Sequence, residues 1–351
     1  MGTITFLLVL SFLVFFHELG HFLAARYFGV KVNVFSIGFG KQIYSKVWRG
    51  TRWQIALVPL GGYVQMKGQD DTKPGLHEDG NDSYNNKKPW QRIVILFAGP
   101  FANFILAAIL YFVIALAGAN SLSPTVGKIQ ENSPALKAGI KAGDEIIKIN
   151  DVKIKTWQQI GETITSTKGT LQFYIKRDNQ FLVKIINPHV SDAQNMFKEN
   201  IKKRMIGISP APKIVTIYHD PISAISFAWD KTIESSKMIF LGVQKLIQGI
   251  IPSSEIGGVI TIGKVISDAS ESSIIALLAI TALISVNLGV LNLLPIPALD
   301  GGHIMFNLYE IITRRKPSDR VFMYLTIAGW VILASLMLLG IYNDINRLFL
   351  G

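Results

Sequence analysis

Four apolar stretches set the limits on what this chain can fold into. Residues 4–16 carry no charge, and neither do residues 93–119 (27 residues), 274–294 (21 residues) and 321–341 (21 residues). The last three are each long enough to cross a hydrocarbon core of about 30 Å as a helix. The first reaches that length only by continuing through His17, Glu18 and His21 to about Tyr27. A cleaved signal peptide is the competing reading of this run. It lacks a basic n-region and a small-x-small cleavage site, and it flows directly into His-Glu-x-x-His. The expectation is a polytopic α-helical membrane protein with about four transmembrane helices. A chain of 351 residues with 49% hydrophobic content and a mean hydropathy of +0.35 is too apolar and too blocky for two soluble domains.

Charge gives the orientation. Residues 30–91 hold nine lysines and arginines, and the hinge between the last two spans holds Arg314, Arg315, Lys316 and Arg320. An even number of spans separates these loops, so they share one face, which the positive-inside rule makes cytoplasmic. Residues 120–273 then lie on the opposite face. A net charge of +11 would suit nucleic acid in a soluble protein, but no nucleic-acid module is present. Basic residues flanking spans match anionic lipid headgroups instead. The absence of cysteine excludes a disulfide framework, thiolate ligands and a thiol nucleophile.

Between the spans the chain is patterned. Alternation at Val32, Val34, Ser36 and at Trp53, Ile55, Leu57 predicts strands, and Gly38-Phe39-Gly40 and Gly61-Gly62-Tyr63 supply bends. Non-helical backbone at membrane depth needs protein or a water-filled cavity around it. A small membrane-associated sheet beside a buried site meets that need. It serves either as a structural hairpin or as an edge for an extended substrate. Residues 68–88 read as a polar surface loop. Residues 125–187 read as a compact β-rich module with two short helices: a strand at 126–129, a turn of helix after Ser133, a strand to Asn150, a helix from Trp157 and two further strands. Residues 220–251 are helical and amphipathic, suited to the membrane surface or to packing against the spans. The expected boundaries are 1–28 (first span), 29–91 (β region and polar loop), 92–119 (second span), 120–190 (β-rich domain), 191–270 (amphipathic helices), 271–302 (third span and the motif after it), 303–320 (basic loop) and 321–345 (fourth span).

His17 and His21 are four residues apart and share a helical face, as a metal requires. Glu18 is adjacent, within reach of a metal-bound water. Ionisable groups inside an apolar span are costly and mark function. A third ligand must come from elsewhere. His77 lies in the polar loop, and His189 and His219 fall on the opposite side. The sequence Asn292-Leu293-Leu294-Pro295-Ile296-Pro297-Ala298-Leu299-Asp300-Gly301-Gly302-His303 ends the third span, which runs parallel to the first. Asp300 therefore arrives at the level of His21 and is preferred as ligand over His303. Three protein ligands leave zinc one open position. Glu18 is the candidate acid–base. Asn292 is either a donor to the substrate backbone or developing oxyanion or a helix–helix hydrogen-bonding residue. Gly99-Pro100-Phe101-Ala102-Asn103 breaks the pattern of the second span and is read as a close helix contact near the site.

These motifs together resemble the site-2-protease-type intramembrane zinc metalloproteases, in their bacterial RseP-like branch. The pieces that carry the resemblance are Phe16-His17-Glu18-Leu19-Gly20-His21, Gly38-Phe39-Gly40, Pro59-Leu60-Gly61-Gly62-Tyr63-Val64, Gly99-Pro100-Phe101-Ala102-Asn103 and the run from Asn292 to Gly301. The resemblance implies Zn2+ held by His17, His21 and Asp300, with Glu18 catalytic and Asn292 assisting at the substrate or oxyanion. It implies that the segment around residues 61–67 engages substrate and that residues 125–187 form one extracytoplasmic PDZ-like domain binding a peptide or substrate tail. Some members carry two such domains; this chain has room for one. Also implied are a bacterial cytoplasmic (inner) membrane location and cleavage of single-span membrane proteins after a first cut by another protease. Anti-sigma factors and remnant signal peptides are the substrate types. Two other classes compete. A transporter with a metal site predicts ionisable groups in several spans or inverted repeats, which the sequence lacks. A non-catalytic scaffold has no need of Glu18, which the chain keeps. Oligomeric state leaves no mark on the sequence.

Overall fold

The computed structural model describes residues 2–69, 80–197 and 199–349. In chain order the elements are α1 (Gly2–Tyr27), β1 (Val32–Trp48), β2 (Thr51–Met66), α2 (Pro89–Ala117), β3 (Ala119–Leu122), β4 (Val126–Ile129), α3 (Pro134–Lys137), β5 (Glu145–Ile149), β6 (Val152–Lys153), α4 (Trp157–Ser166), β7 (Leu171–Arg177), β8 (Gln180–Ile186), β9 (His189–Gln194), β10 (Asn200–Met205), β11 (Ile208–Pro210), β12 (Ile214–Ile217), α5 (Pro221–Ile247), α6 (Val259–Ser272), α7 (Ile274–Asn292), α8 (Asp300–Thr313) and α9 (Asp319–Phe349). The chain divides into two units: Met1–Ile114 with Ile222–Leu246 and Pro252–Gly351, and Ala115–Pro221 with Ile247–Ile251.

The first unit holds the four helices long and apolar enough to span a membrane among the described residues, α1, α2, α7 and α9. The protein is thus a multi-span membrane protein. Most of α9 is uncovered, with Val321, Trp330, Val331 and Met337 exposed, as expected of side chains whose solvent is lipid. Three sequence expectations need correction. Residues 191–217, expected among the amphipathic helices, hold most of β9 and all of β10–β12, and β11 and β12 pair with β4 and β3, so the β-rich body extends to Pro221, where helix begins. Gly99-Pro100 does not break the second span: α2 runs unbroken through Pro100, since one missing N–H costs a helix a single hydrogen bond that neighbouring helices can offset. The stretch 303–320 is mostly helix α8 rather than loop, ending at Arg314 in the left-handed region (φ 57°). Its apolar Ile304, Met305, Leu308, Ile311 and Ile312 outweigh the basic cluster that follows. His77, with the rest of residues 70–79 of the expected polar loop, lies outside the described residues.

Strands β1 and β2 are antiparallel, with an unusual register. Phe35 pairs with both Val64 and Trp53, and Ile37 pairs with both Gly62 and Ile55. Each long strand therefore folds back on itself. The bends fall at Gly38 and Gly40 (φ 91° and 85°) and at Gly61 (φ 156°), conformations that favour glycine. The result behaves as four short strands, with residues 62–66 along one edge and residues 42–48 along the other. The sheet packs on α1 through aromatic contacts. Trp53 stacks on Phe35 with centroids 4.5 Å apart, and Phe22 meets Trp53 edge-on at 5.0 Å.

The second unit is a small β-rich body. Its main sheet has the order β6-β5-β7-β8, and β11 and β12 return to pair with β4 and β3. Ile140, Ile146, Ile149, Ile160, Leu171, Phe173 and Ile175 fill its core. Helix α4 begins at a capping box in which Thr156 and Gln159 satisfy each other's backbone N–H. A fully buried Asp144 receives Arg177 through two bonds of 2.6 and 2.8 Å. This contact raises the guanidinium above its ordinary pKa.

Candidate metal centre and active site

Helix α1 places His17 and His21 one turn apart, both buried (8% and 6% exposed). The turn after α7 brings Asp300, the first residue of α8, onto them. That turn is tight: a Cβ on Gly301 would lie 2.3 Å from the Leu294 carbonyl oxygen, and one on Gly302 2.3 Å from that of Ile296. Glycine at both positions lets the first turn of α8 fold against residues 293–297 and aims Asp300 at α1.

The three ligand atoms form a nearly equilateral triangle. His17 Nε2 and His21 Nε2 are 3.3 Å apart. Asp300 Oδ2 is 3.3 Å from the first and 3.4 Å from the second. Ligands at the usual zinc bond lengths of about 2.0–2.2 Å in tetrahedral geometry lie about 3.3–3.6 Å from one another, so the triangle fits that ion. Asp300 Oδ2 is buried and has no hydrogen-bond partner of satisfactory geometry. A buried carboxylate oxygen without a hydrogen bond is expensive, and a cation at the centre of the triangle relieves that cost. The cluster is capable of coordinating a metal ion, and it is the one group of three or more such side chains among the described residues.

Helix α2 supports both imidazoles. His21 Nδ1 lies 2.8 Å from the Ile95 carbonyl oxygen, and His17 Nδ1 lies 3.1 Å from the Asn103 amide. Where a histidine's second nitrogen donates to an oxygen, Nε2 is left with its lone pair for a metal. Between these contacts lies Gly99, where a Cβ would sit 2.2 Å from His21 Nε2. Glu18 is half-buried and beside the sheet: a Cβ on Gly62 would lie 3.4 Å from Glu18 Cγ and 2.7 Å from Val14 Cγ1. The edge formed by residues 62–66 therefore passes the glutamate. Asn292 is the half-buried last residue of α7, eight positions before Asp300.

His303 does not join the triangle; its ring packs against Phe306 and Phe322, with centroids 6.1 and 5.7 Å away. His189 lies on β9, and His219 in the link preceding α5. Residues that the sequence reading did not assign to the metal surroundings are Ile95, through its carbonyl, and Asn103. Asn103 was visible as a polar amide in an apolar span, but its partner was not.

In the second unit a cleft of about 590 Å³ lies between α4 and the strands β4, β10 and β11. Trp157, Ile160, Ile164 and Ile208 line it together with the basic residues Lys128, Lys203 and Arg204.

A membrane-embedded His-His-Asp cluster with a neighbouring glutamate defines a class, the metal-dependent hydrolases of the bilayer. Comparison with known proteins narrows that class. The family model for peptidase family M50 matches residues 5–336. The chain is 46% identical over 341 residues to the "Putative zinc metalloprotease Cj1068" of Campylobacter jejuni, covering 97% of this chain and 92% of that protein. It is 40% identical to a protein of Helicobacter pylori strain J99 with the corresponding zinc metalloprotease name (97% and 98% covered). It is 34% identical to Metalloprotease MmpA of Caulobacter vibrioides (98% and 95% covered). The chain belongs to peptidase family M50, within the site-2-protease superfamily of intramembrane zinc metalloproteases.

Proposed function

We propose that this protein is an RseP-like intramembrane endopeptidase of the bacterial inner membrane. Its substrates would be the transmembrane segments of single-span membrane proteins, after another protease has made a first cut. The observation that carries the site assignment is the triangle of 3.3, 3.3 and 3.4 Å edges. In this reading His17, His21 and Asp300 hold Zn2+. When bound, zinc supplies Lewis acidity, bringing the pKa of a water toward ~7 and polarising a carbonyl.

The chain's own residues do the rest. Glu18 takes a proton from the attacking water and returns it to the leaving amine nitrogen. The Asn292 amide donates to the substrate backbone or to the oxygen that gains negative charge. The edge at residues 62–66 holds the unwound substrate as an added strand, because of the two sheet edges it is the one that passes Glu18. A substrate helix must open before its amide is reachable, so helix-breaking residues at the cut favour cleavage. Residues 125–187 belong to a PDZ-like domain, supported by a largely apolar cleft between strands and a helix with basic residues in its lining, suited to a peptide or substrate tail. The basic loops place the catalytic residues toward the cytoplasm and this domain on the extracytoplasmic side, with anionic headgroups bound along the loops. Anti-sigma factors and remnant signal peptides both match this substrate description.

The test uses the purified protein in detergent. Bound zinc and cleavage of a model single-span substrate are measured for the wild type, Glu18→Gln and Asp300→Ala. Glu18→Gln is expected to keep zinc and lose cleavage, and Asp300→Ala to lose both. Full cleavage by Glu18→Gln overturns the mechanism.

A further inference from the structure

One stripe of α2 serves both imidazoles of α1. Ile95, Gly99 and Asn103 are spaced four apart and share a face. On α1, His21 and His17 have the same spacing. Ile95 contacts His21 through its carbonyl, Gly99 leaves room for the His21 ring, and Asn103 reaches His17. His21 thus has a backbone acceptor that no substitution removes, whereas His17 depends on a side chain.

Asn103 has no exposed surface, and its backbone is anchored by Ser285 Oγ, which donates to the Asn103 carbonyl at 2.8 Å. A buried amide in an apolar span must repay its desolvation. With Nδ2 toward His17 at 3.1 Å, the amide oxygen Oδ1 is buried without a partner. In that orientation His17 Nδ1 acts as acceptor, so the imidazole proton sits on Nε2, inside the triangle, and blocks a ligand there. Turned over, the amide has the same shape, and Oδ1 accepts from Nδ1–H. The Nε2 lone pair then points toward Asp300 Oδ2 and His21 Nε2. Hydrogen bonding alone distinguishes the two orientations, and only the second is compatible with a cation in the triangle.

We propose that Asn103 is the positioning residue of the metal centre, accepting the Nδ1 proton of His17 and so fixing the tautomer and ring angle that bind the ion. This rests on the assignment of His17, His21 and Asp300 as ligands. Asn103 touches no reacting atom; it acts through His17.

The experiment compares full-length wild type, Asn103→Leu, Asn103→Asp and His17→Ala in detergent. Zn2+ affinity is measured by competition with a chelator of known affinity, alongside thermal unfolding of the zinc-free proteins. Leucine fills the same space without an acceptor, and aspartate keeps an acceptor. Asn103→Leu is expected to weaken zinc binding 10–100-fold with little change in zinc-free unfolding temperature. Asn103→Asp is expected to bind zinc within a few-fold of wild type or more tightly. A residue that only packs gives the opposite order, since leucine is tolerated there and a buried carboxylate is not. Any result in which Asn103→Leu keeps wild-type affinity, or Asn103→Asp loses it, overturns the proposal. If Asn103→Leu does not fold, the affinity of Asn103→Asp decides the matter alone. Wild type that binds no zinc, or His17→Ala that binds it as tightly as wild type, overturns the ligand assignment itself. Failure of the proposal for Asn103 alone leaves both of those controls intact.

Discussion

Adding one methyl group at Gly99 should empty the metal site while leaving the fold nearly untouched. A Cβ there meets His21 Nε2 at 2.2 Å, Cε1 at 2.5 Å and Cδ2 at 2.8 Å. The ring must retreat by about 1.2 Å to reach an ordinary contact of about 3.4 Å. In doing so it gives up the 2.8 Å bond to the Ile95 carbonyl. That bond contributes about 0.5–1.5 kcal/mol. Alanine returns about 1 kcal/mol of helix propensity over glycine, so the zinc-free stability of Gly99→Ala should stay within about 1 kcal/mol of wild type. Metal binding has no such compensation. Ligand distances tolerate about 0.2 Å, and a shift of 1.2 Å removes His21 from the triangle. Loss of an outer-shell partner alone costs about 10–100-fold in affinity; losing a ligand should exceed 100-fold. With zinc in large excess over its Kd, a 100-fold loss of affinity takes away about 2.7 kcal/mol of zinc-linked stabilisation. The assay is thermal unfolding with and without added Zn2+, together with chelator competition. Wild type should gain stability on adding zinc and Gly99→Ala should not. Binding by Gly99→Ala within ten-fold of wild type refutes this account of the site.

Three further outcomes are expected. Gly62→Ala pushes against the Ser36 carbonyl oxygen at 2.6 Å and Val14 Cγ1 at 2.7 Å, moving the sheet edge relative to Glu18. Zinc content should be retained while kcat/KM falls on the order of 10²-fold, the usual cost of about 1 Å of misplacement. Asp344 on α9 accepts from the backbone N–H groups of Gly258, Ile260 and Thr261 at 2.9, 2.9 and 3.1 Å. Asp344→Ala strips the start of α6 of its cap and should cost about 2–3 kcal/mol, read as faster hydrogen exchange in α6. Asp144→Ala leaves Arg177 without its two-point partner and exposes a buried gap. About 2–4 kcal/mol of local stability should be lost, measured as exchange in β5 and β7, with Asp144→Asn intermediate.

What the sequence disclosed is what local pattern and chain direction can carry. The spans showed themselves as uncharged runs, and the pairing of Asp300 with His17 and His21 followed from two spans running the same way. The helix α4 and the strands flanking it followed from alternation and turn chemistry. The double register of β1 and β2 was beyond reach, because the bends at Gly38, Gly40 and Gly61 are visible in sequence while the choice of partner is tertiary. The pairing of β11 with β4 joins residues about 80 positions apart, and no local signal encodes it. Helix α6 falls in the region expected to hold amphipathic helices, but its start was not legible, because its capping carboxylate, Asp344, lies more than 80 residues downstream. The expected break at Pro100 failed for the opposite reason: a local rule was overridden by the packing of α2 against its neighbours.

The glycines around the site explain how a membrane protein holds three ligands to within tenths of an ångström. Between helices in lipid the hydrophobic effect supplies little, and close packing carries the association. A Cβ on Gly20 would lie 2.1 Å from the Ala98 carbonyl oxygen, and one on Gly289 would lie 3.0 Å from the Phe104 ring. Gly99 meets His21, and Gly301 and Gly302 meet the turn that precedes them. At Gly20, Gly301 and Gly302 the contact is with backbone, which has no rotamer to absorb a displacement, while at Gly99 it is with the ligand ring itself. This is rigidity placed where a binding site needs it. It also assigns the two kinds of sequence feature their separate tasks: His17, His21 and Asp300 bring the chemistry, and the glycines set the distances at which that chemistry works. Alanine at Gly20 should therefore separate α1 from α2 and weaken zinc binding without changing any ligand. Alanine at Gly161, which meets nothing within 4 Å, should do neither. Equal zinc affinity in these two variants, measured by the same chelator competition, would show that the ligands hold their geometry without the close approach of α1 and α2.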